Sequence, residues 1–356
     1  MKRFNRFSIM SFVMILIITA VLFSGCSGSQ ETFEATSKTT LQFGTIIQIT
    51  IFDPEKKSGL NRAIDHMKTL EDTLSTSIEN SDVNTFNNAD ANIPITLGEH
   101  SKSVIERGLY YSEFSDGCFD ITIEPIVDIW GIGKERAGIP EKDTIEALLN
   151  NVDYNYLSYD GSAGTLTKLK DDISIDLGAI AKGYAADEAA RILREEGVDK
   201  ALINLGGNVY ALGNKTDSQP WNVGIQDPLE PQGAMIGIVQ VSDQAVITSG
   251  IYERFFEEDG VRYHHILDPK TGYPLNNELL GVSIITPSAI DGDALSTVVY
   301  TKGLDEGMEL IESLENTEAI FITRDKKIYV STGADKIFEK RNENYDLISA
   351  ATRDSN

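Results

Sequence analysis

The sequence predicts a mixed α/β fold, in which a single domain has a mixed β-sheet and flanking helices. Segments with the two-residue period of strands alternate with segments of helical period along the chain. We find no internal repeat, no low-complexity tract beyond residue 40 and no proline-rich linker. The 356 residues, 41% of them hydrophobic, are enough for one large domain or two smaller ones, and the lack of a linker favours one.

The N-terminus has the order of a bacterial lipoprotein signal peptide. Three basic residues precede an apolar run over residues 7–23, and small residues lead to Cys26. This order predicts a signal peptide over residues 1–25 and lipidation of Cys26, which becomes the new N-terminus. The alternative is a plain membrane-spanning anchor, because the run is close to the lower limit of about 18 residues for a span. Both interpretations predict an exported body that is tethered to the membrane.

The segment that follows predicts a flexible tether. Residues 26–40 are rich in Ser, Thr and Glu and lack an apolar period. We expect the folded body to span residues 41–345 and a polar tail to cover residues 346–356. Lipidation of Cys26 would leave Cys118 without a partner for an internal disulfide.

The chain is strongly acidic. Its formal net charge is −24, and removal of the signal peptide with its three basic residues takes this to about −27. A nucleic-acid-binding protein needs a basic patch that neutralises phosphates, so this charge argues against that class. Any phosphate-bearing substrate must be held by local donors or by a metal ion, because the field of the whole chain repels it.

Two elements open the predicted body. Residues 43–52 carry alternating β-branched side chains and predict a strand. A helix with one buried face is predicted next by apolar residues at helical spacing, namely Leu60, Ala63, Ile64, Met67, Leu70 and Leu74.

The middle of the chain alternates in the same way. Ile173 and Ile175 predict a strand that ends at Asp176, and a helix follows and stops at Gly197. Residues 201–205 predict a further short strand.

The C-terminal third predicts one more helix and a hairpin. The helix follows Gly303. The hairpin joins residues 319–323 to residues 328–331 through a turn at residues 324–327.

Four stretches rich in Gly, Asp and small residues lie at junctions between predicted elements. They cover residues 117–131, 176–184, 264–274 and 291–297. Such junctions are where binding and catalytic sites are built, so these stretches are the candidates for the site.

In the second stretch a predicted strand leads into the first turn of a helix. Free backbone N–H groups and Lys182 converge there, which predicts an anion site. The alternative is that Asp176 caps the helix and Lys182 is solvated. The Gly206-Gly207 pair is a weaker sign, because it matches no complete G-x-G-x-x-G pattern.

The fourth stretch places Asp293 and Thr297 four residues apart. On a helix this spacing puts both side chains on one side. A carboxylate and a hydroxyl suit Mg²⁺, which takes oxygen ligands and shares them with substrate phosphates. The pattern D-x-x-x-T is common by chance, so it carries little weight by itself.

His264 and His265 are adjacent, and adjacent side chains of a strand point to opposite faces. A zinc site is not expected, because it usually takes three protein ligands, while His66 lies in a predicted helix and His100 in a polar loop. One of the pair could act as a general base oriented by Asp268 or by a backbone carbonyl. The alternative is a surface histidine beside a Pro-Lys-Thr-Gly turn. The G-x-S-x-G pattern of a serine hydrolase is absent.

In their order and spacing, the four stretches resemble the ApbE family of flavin transferases, and the resemblance covers residues 43–331. The family's Gly-Ala-Phe-Asp-Ile-Thr pattern is similar to residues 117–122, and its Asp-Leu-Ser/Gly-Ala-Ile-Ala-Lys-Gly-Tyr pattern is matched by residues 176–184. Its His-Ile-Ile-Asp-Pro-x-Thr-Gly-Tyr-Pro pattern is matched from His265, and its Ala-Asp-Ala-Leu-Ala-Thr pattern is similar to residues 292–297.

The resemblance implies an ApbE-like domain with FAD as substrate and Mg²⁺ as cofactor. It implies that FAD lies against Phe43, Ser77, Cys118, Phe119, Asp120, Asp176, Lys182 and Ile266. It implies that Mg²⁺ is held by the Ala179 carbonyl, Asp293 and Thr297. The implied reaction passes FMN through its phosphate to a Thr or Ser hydroxyl of a target protein and releases AMP. Asp293 and His265 would be catalytic, with His265 taking the proton of that hydroxyl.

Two alternatives to this function remain. Ser77 stands where the family commonly has Tyr, and some relatives hydrolyse FAD to FMN and AMP, so the first is a Mg²⁺-dependent FAD pyrophosphatase. The second is a ligand-binding lipoprotein, which gives no reason for the pairing of Asp293 with Thr297.

The resemblance also implies a separate acceptor protein. Family targets carry a Ser/Thr-Gly-Ala-Ser/Thr motif in membrane redox proteins. The nearest stretch here, residues 332–335, lacks the final hydroxyl, so self-flavinylation is not expected. We expect an enzyme that is lipid-anchored on the extracytoplasmic face of the cell membrane.

Overall fold

A nine-stranded β-sheet runs through the fold in the computed structural model, which describes residues 35–215 and 217–353. In the order in which they lie side by side, its strands are β1 (Thr36–Gln42), β2 (Thr45–Ile51), β6 (Ala201–Leu205), β7 (Asn208–Leu212), β10 (Gln244–Gly250), β13 (Leu279–Thr286), β14 (Glu318–Thr323), β15 (Lys327–Val330) and β17 (Asp346–Ile348). Neighbours in this sheet are antiparallel except β15 and β17, which are parallel.

The fold contains three smaller sheets in addition to the large one. The first contains β3 (Ile95–Thr96), β5 (Thr165–Lys168) and β4 (Leu157–Asp160). The second contains β16 (Phe338–Lys340), β9 (Met235–Val241) and β8 (Trp221–Gln226). The third is the hairpin of β11 (Phe255–Glu258) and β12 (Val261–His264).

Eight α-helices lie among the described residues. They are α1 (Lys57–Leu74), α2 (Asp82–Asn87), α3 (Glu99–Phe114), α4 (Glu124–Trp130), α5 (Lys142–Leu149), α6 (Ala181–Glu195), α7 (Ala289–Ser313) and α8 (Ala350–Arg353). Helix α7 is interrupted at Gly303, whose φ of 78° is outside the helical region. Short 3₁₀ helices cover Pro54–Lys56, Tyr154–Tyr156 and Ala334–Lys336.

The main core lies between the large sheet and helices α1, α6 and α7. The side chains of Ile47, Ile49 and Ile51 on β2 are fully buried, as are Leu60 and Met67 on α1. Buried residues alternate along β2 and recur at helical spacing along α1. The sequence predicted both patterns.

A second, smaller core contains Trp130 at the end of α4. Its fully buried ring packs against Tyr263 at 5.7 Å between centroids, and its Nε1 donates a hydrogen bond to the Gly272 carbonyl at 2.7 Å. This contact ties the loop after β12, which contains the predicted site stretch 264–274, to helix α4.

The predicted fold class, a mixed α/β domain with a mixed sheet and flanking helices, is confirmed. Also confirmed are the helix up to Gly197, the strand at residues 201–205, the helix after Gly303 and the hairpin at residues 319–331.

The predicted strand at Ile173 and Ile175 is wrong. Both side chains are fully buried, but this segment belongs to no sheet. The N–H and C=O of Ile175 bond to the side chain of Asn87, and the N–H of Asp176 donates to the Ile121 carbonyl at 2.8 Å. The apolar alternation therefore indicated a buried, extended segment. Its backbone groups form their hydrogen bonds with a side chain and a loop carbonyl and not with a neighbouring β-strand.

Both predicted borders of the body need correction. The expected tether over residues 26–40 ends in strand β1, which pairs with β2 over seven residues, and the expected tail over residues 346–356 contains β17 and α8. Strand β1 lies at the edge of the sheet and is largely exposed, so its polar side chains show no apolar period.

The predicted signal peptide and the lipidation site Cys26 lie outside the described residues. Within the described part of the chain, no helix combines the length and apolar character needed to cross a bilayer.

Candidate functional site

A buried carboxylate on helix α7 is the centre of the candidate site. Asp293 is 4% exposed, and its Oδ2 accepts a hydrogen bond from the Gly183 N–H at 2.8 Å. Its Oδ1 accepts from the Asn208 side-chain amide at 3.1 Å and lies 3.7 Å from Nζ of Lys182. Burial of an unpaired carboxylate costs much free energy. Hydrogen-bond donors from the first turn of α6 and from the start of β7 offset this cost for Asp293.

The close contact of helices α6 and α7 brings these groups together. A Cβ atom on Gly183 would lie 2.2 Å from the Ala289 carbonyl oxygen, so only glycine fits there. One turn further along α6, the Asp187 carboxylate accepts from the N–H groups of Ala289 and Ile290, both at 2.9 Å. Asp187 thereby caps the N-terminus of α7 from outside that helix. Burial raises the pKa of Asp187 to about 6, against the effect of these two N–H donors.

The predicted metal residues lie on the turn before α6 and on helix α7. Nζ of Lys182 lies 3.3 Å from the Gly178 carbonyl as well as 3.7 Å from Asp293, so an ammonium group occupies a position between oxygens of the turn and of the helix. Ala179 is the next residue of that turn, and Thr297 follows Asp293 by one turn of α7 and is half-buried. Carboxylate, hydroxyl and carbonyl oxygens are the donor set that Mg²⁺ prefers, so these residues fit that ion.

The turn before α6 is closed by Asp176. Its Oδ1 accepts from the Gly178 N–H at 2.7 Å. Burial raises the pKa of this carboxyl, while the Gly178 N–H and the nearby Lys134, Lys182 and Arg254 act in the opposite direction. Three cationic side chains therefore act on this carboxyl in a chain of net charge −24.

The stretch before α4 is held rigidly next to that turn. Oδ1 of Asp120 accepts from the N–H and the hydroxyl of Thr122, at 2.8 and 2.7 Å, and its Oδ2 accepts from the Tyr154 N–H at 3.0 Å. Phe119 is buried at 4% exposure, and Cys118 is a free, half-buried thiol. The side chain of Asp120 therefore organises this segment, and the neighbouring backbone bond from Asp176 to Ile121 joins it to the turn.

The two adjacent histidines have different surroundings. His264 is buried, and its Nε2 donates to the Leu275 carbonyl at 2.8 Å, which places it in the core. Half-buried His265 lies with Nδ1 3.2 Å from the Arg254 carbonyl. Burial, assisted by Lys182 and Arg254, lowers the pKa of His265 to about 3. The ring is therefore neutral, and because Nδ1 must carry the proton that meets a carbonyl, Nε2 has the free lone pair.

The orienting group of His265 is the backbone carbonyl, one of the two predicted possibilities. The other, Asp268, accepts from the Lys270 N–H at 2.9 Å and the Thr271 hydroxyl at 3.0 Å and so shapes its own turn. Ile266, buried at 5% exposure, follows His265 and accepts through its carbonyl from the Leu275 N–H at 3.0 Å.

Arg254 joins the first hairpin to the site. Its Nη2 donates to the carbonyls of Phe43 and Gly44, both at 3.3 Å. Phe43 itself has a φ of 54° and donates its N–H to Glu71 at 2.7 Å. Ser77 is exposed, and its hydrogen bonds are with Ser75 just beyond the end of α1.

Asn208 is the site residue that the sequence did not predict. Its amide oxygen accepts from the Thr248 N–H at 3.3 Å while its amide nitrogen donates to Asp293, so it couples β7, β10 and α7. The only signal in the sequence was its position directly after the Gly206-Gly207 turn.

Comparisons with known proteins agree with this geometry. The model of the ApbE family matches residues 43–321. A FAD:protein FMN transferase of Treponema pallidum is 32% identical over 338 residues, which cover 90% of this chain and 92% of the relative. One of Klebsiella pneumoniae is 35% identical over 288 residues, which cover 81% and 89%. The crystal structure of the ApbE protein of Thermotoga maritima superposes with a TM-score of 0.79 at 30% identity and covers 87% of this chain and 100% of that one.

Proposed function

This chain belongs to the ApbE family, and from that premise we propose that it is a FAD:protein FMN transferase. The observation that carries the proposal is the contact of Lys182, Gly183 and Asp293, where a helix N-terminus, a cation and a buried carboxylate meet. Such a site can hold a diphosphate and a metal ion together.

We propose that FAD is bound along the residues that the family resemblance implies. Its diphosphate would lie near Lys182 and Arg254, whose charges offset the repulsion from the acidic chain. The flavin side would lie towards Phe43 and the Cys118–Asp120 segment, which Arg254 and the backbone bond of Asp176 hold close to the turn.

Mg²⁺ would be held by the Ala179 carbonyl, Asp293 and Thr297. When bound, it supplies charge neutralisation to the pyrophosphate oxygens. The chain contributes the fixed orientation of Asp293, which Gly183 and Asn208 hold through hydrogen bonds.

The proposed reaction is an in-line phosphoryl transfer. The hydroxyl oxygen of a Thr or Ser on the acceptor bonds to the phosphorus of the FMN moiety, and the bond from that phosphorus to the AMP oxygen breaks. Nε2 of His265 takes the hydroxyl proton, since Nδ1 is occupied by the Arg254 carbonyl. The anionic diphosphate of bound FAD would offset Lys182 and Arg254 and so raise the pKa of this ring above its low value in the free chain. Positioning and charge neutralisation supply most of the rate in such transfers.

We propose that the acceptor is a separate membrane redox subunit with a Ser/Thr-Gly-Ala-Ser/Thr motif. The enzyme would act on the extracytoplasmic face of the cell membrane, anchored through lipid on Cys26. The order of the first 26 residues supports this location.

The test is to incubate the full chain with FAD, MgCl₂ and a protein that carries the motif. Mass spectrometry should show one FMN added to the acceptor and one AMP released per acceptor. Two matched controls accompany it. An acceptor with Ala in place of the hydroxyl residue should gain no FMN, and the enzyme variant Asp293→Asn should transfer FMN to the intact acceptor at least about 100-fold more slowly. AMP released from an unchanged acceptor would establish the pyrophosphatase instead, and FAD that is bound but not consumed would establish a binding protein.

The role of His265 has its own test. His265→Ala should reduce transfer while FAD binding, followed by flavin fluorescence, stays close to wild type. Full transfer by this variant would exclude His265 as the base.

A further inference from the structure

A second group of metal-ligating side chains lies away from the candidate site. His66 on α1, His100 in the first turn of α3 and Glu188 on α6 each offer one ligand atom, and these atoms lie within 4.8 Å of one another. Nε2 of His66 is 3.3 Å from Oε2 of Glu188, and the two imidazole rings meet edge to face with centroids 4.9 Å apart. The sequence gave no reason to expect zinc, because it placed His66 in a helix and His100 in a polar loop, but His100 lies in α3 and the packing of three helices brings both histidines to Glu188.

The distances suit a small divalent ion. Two ligands at 2.0–2.2 Å from one ion with tetrahedral geometry lie about 3.3 Å apart. His66 and Glu188 already have this separation, and the ligand atom of His100 lies within 4.8 Å of both. The side chains of His66 and Glu188 are 18% and 13% exposed, so an ion can reach them from solvent.

The surroundings resemble those of metal-bound histidines. Nδ1 of His100 lies 2.8 Å from the hydroxyl of Tyr184, one turn before Glu188 on α6. An outer hydrogen bond of this kind fixes the ring and leaves the other nitrogen for a metal. Arg191 donates to both oxygens of Glu188, at 2.9 and 2.7 Å, and fixes the orientation of the carboxylate.

We propose that His66, His100 and Glu188 form a binding site for a divalent transition-metal ion, with Zn²⁺ as the best match and water as the fourth ligand. Two imidazoles and one carboxylate are the ligands of open zinc sites, whereas Mg²⁺ prefers oxygen alone. The ion would link α1, α3 and α6, and α6 is the helix that presents Lys182 and Gly183 to the candidate active site. Bound zinc should therefore stabilise the fold.

The experiment uses the full chain in detergent, without a polyhistidine tag, freed of metal by a chelator and returned to excess MgCl₂. Titration with ZnCl₂ should show one bound ion per chain, retained through desalting, and a rise in melting temperature. Co²⁺ should give the visible spectrum of a tetrahedral site with nitrogen ligands.

Two variants and a control decide the assignment. His66→Gln and Glu188→Gln should each weaken Zn²⁺ binding at least tenfold and abolish the rise in melting temperature, with circular dichroism to verify folding. Asp293→Asn should bind Zn²⁺ like the wild type, which separates this site from the Mg²⁺ site. The proposal is overturned if the wild type retains no zinc at micromolar concentration, or if both ligand variants bind it as tightly as the wild type.

Discussion

The two oxygens of Asp293 show how single residues set the properties of the site. A carboxylate buried to this degree needs partners, and it finds the Gly183 N–H on one oxygen and the Asn208 amide on the other. Each oxygen keeps a second lone pair, so these bonds orient the group and leave it able to bind a cation.

Asp293→Asn should keep the fold and lower FMN transfer by at least about 100-fold, because the charge that neutralises a metal ion is worth several kcal/mol.

Asn208→Ala should act differently, by raising the Mg²⁺ concentration at half-maximal rate about 10- to 100-fold while saturating Mg²⁺ restores most of the rate. Initial rates over a Mg²⁺ series measure both effects. Equal Mg²⁺ dependence in Asn208→Ala and wild type would contradict the orienting role of Asn208.

His264 predicts a pH dependence of stability. Burial lowers its pKa to about 4 in the folded chain, against about 6.5 when unfolded, so the unfolded state binds more protons between these values. The contribution of His264 to the free energy of unfolding should therefore fall by about 3 kcal/mol as the pH drops from 6.5 towards 4, and it should stay constant below pH 4.

Urea unfolding of wild type and His264→Gln at pH 7.5, 6, 5 and 4 measures this effect. The difference between the two proteins isolates His264 from carboxyls such as Glu124, whose raised pKa acts with the opposite sign. The variant should lose less stability on acidification, and parallel curves would contradict the prediction.

At the scale of elements, the contact between α6 and α7 determines the site. Gly183→Ala would place a methyl group 2.2 Å from the Ala289 carbonyl, so the helices must separate and the bond from Gly183 to Asp293 must lengthen. We expect a loss of about 1–3 kcal/mol of stability and a large loss of transfer activity. Gly138→Ala is the matched control, because a Cβ there meets no atom within 4 Å and should change neither property. Chemical unfolding and the transfer assay measure both, and a fully active Gly183→Ala would contradict the role of this contact.

The sequence predicted the elements and side-chain arrangements that depend only on the spacing of residues within one continuous stretch of the chain. Asp293 and Thr297 are one helical turn apart on α7, and Lys182 lies in the first turn of α6, where the sequence placed the predicted anion site. Asn208 was missed because its contact with Asp293 depends on how β7 and α7 pack, which no local pattern encodes. The strand predicted at Ile173 failed for a related reason, since an apolar alternation reports burial and not the identity of the hydrogen-bond partner.

At the scale of the whole molecule, the site differs in charge from the rest of the chain, because basic side chains act on it within a strongly acidic protein. The net charge of −24 disfavours any anionic substrate, yet Lys134, Lys182 and Arg254, from three separate parts of the sequence, each favour the ionised form of Asp176. Composition predicted the negative net charge, but only the fold shows which basic side chains act at the site. The acidic surface and the local cations together favour a substrate that is held by few, well-placed contacts.

The border of the folded body gives the last prediction. The sequence placed the end of the tether at residue 40, whereas β1 begins at Thr36 and covers the edge of β2 over seven paired residues. A chain that starts at residue 35 should therefore keep the stability and activity of a chain that starts at Cys26, because the described site residues lie between Phe43 and Thr297.

A chain that starts at residue 43 should behave differently. It leaves the edge of β2 unpaired above the buried Ile47 and Ile49, which should lower stability on the order of 2 kcal/mol and promote association through the open edge. Urea unfolding and light scattering of the two truncations decide between the borders. Equal stability of both would support a tether that reaches to residue 40, since the sheet would then not need its first strand.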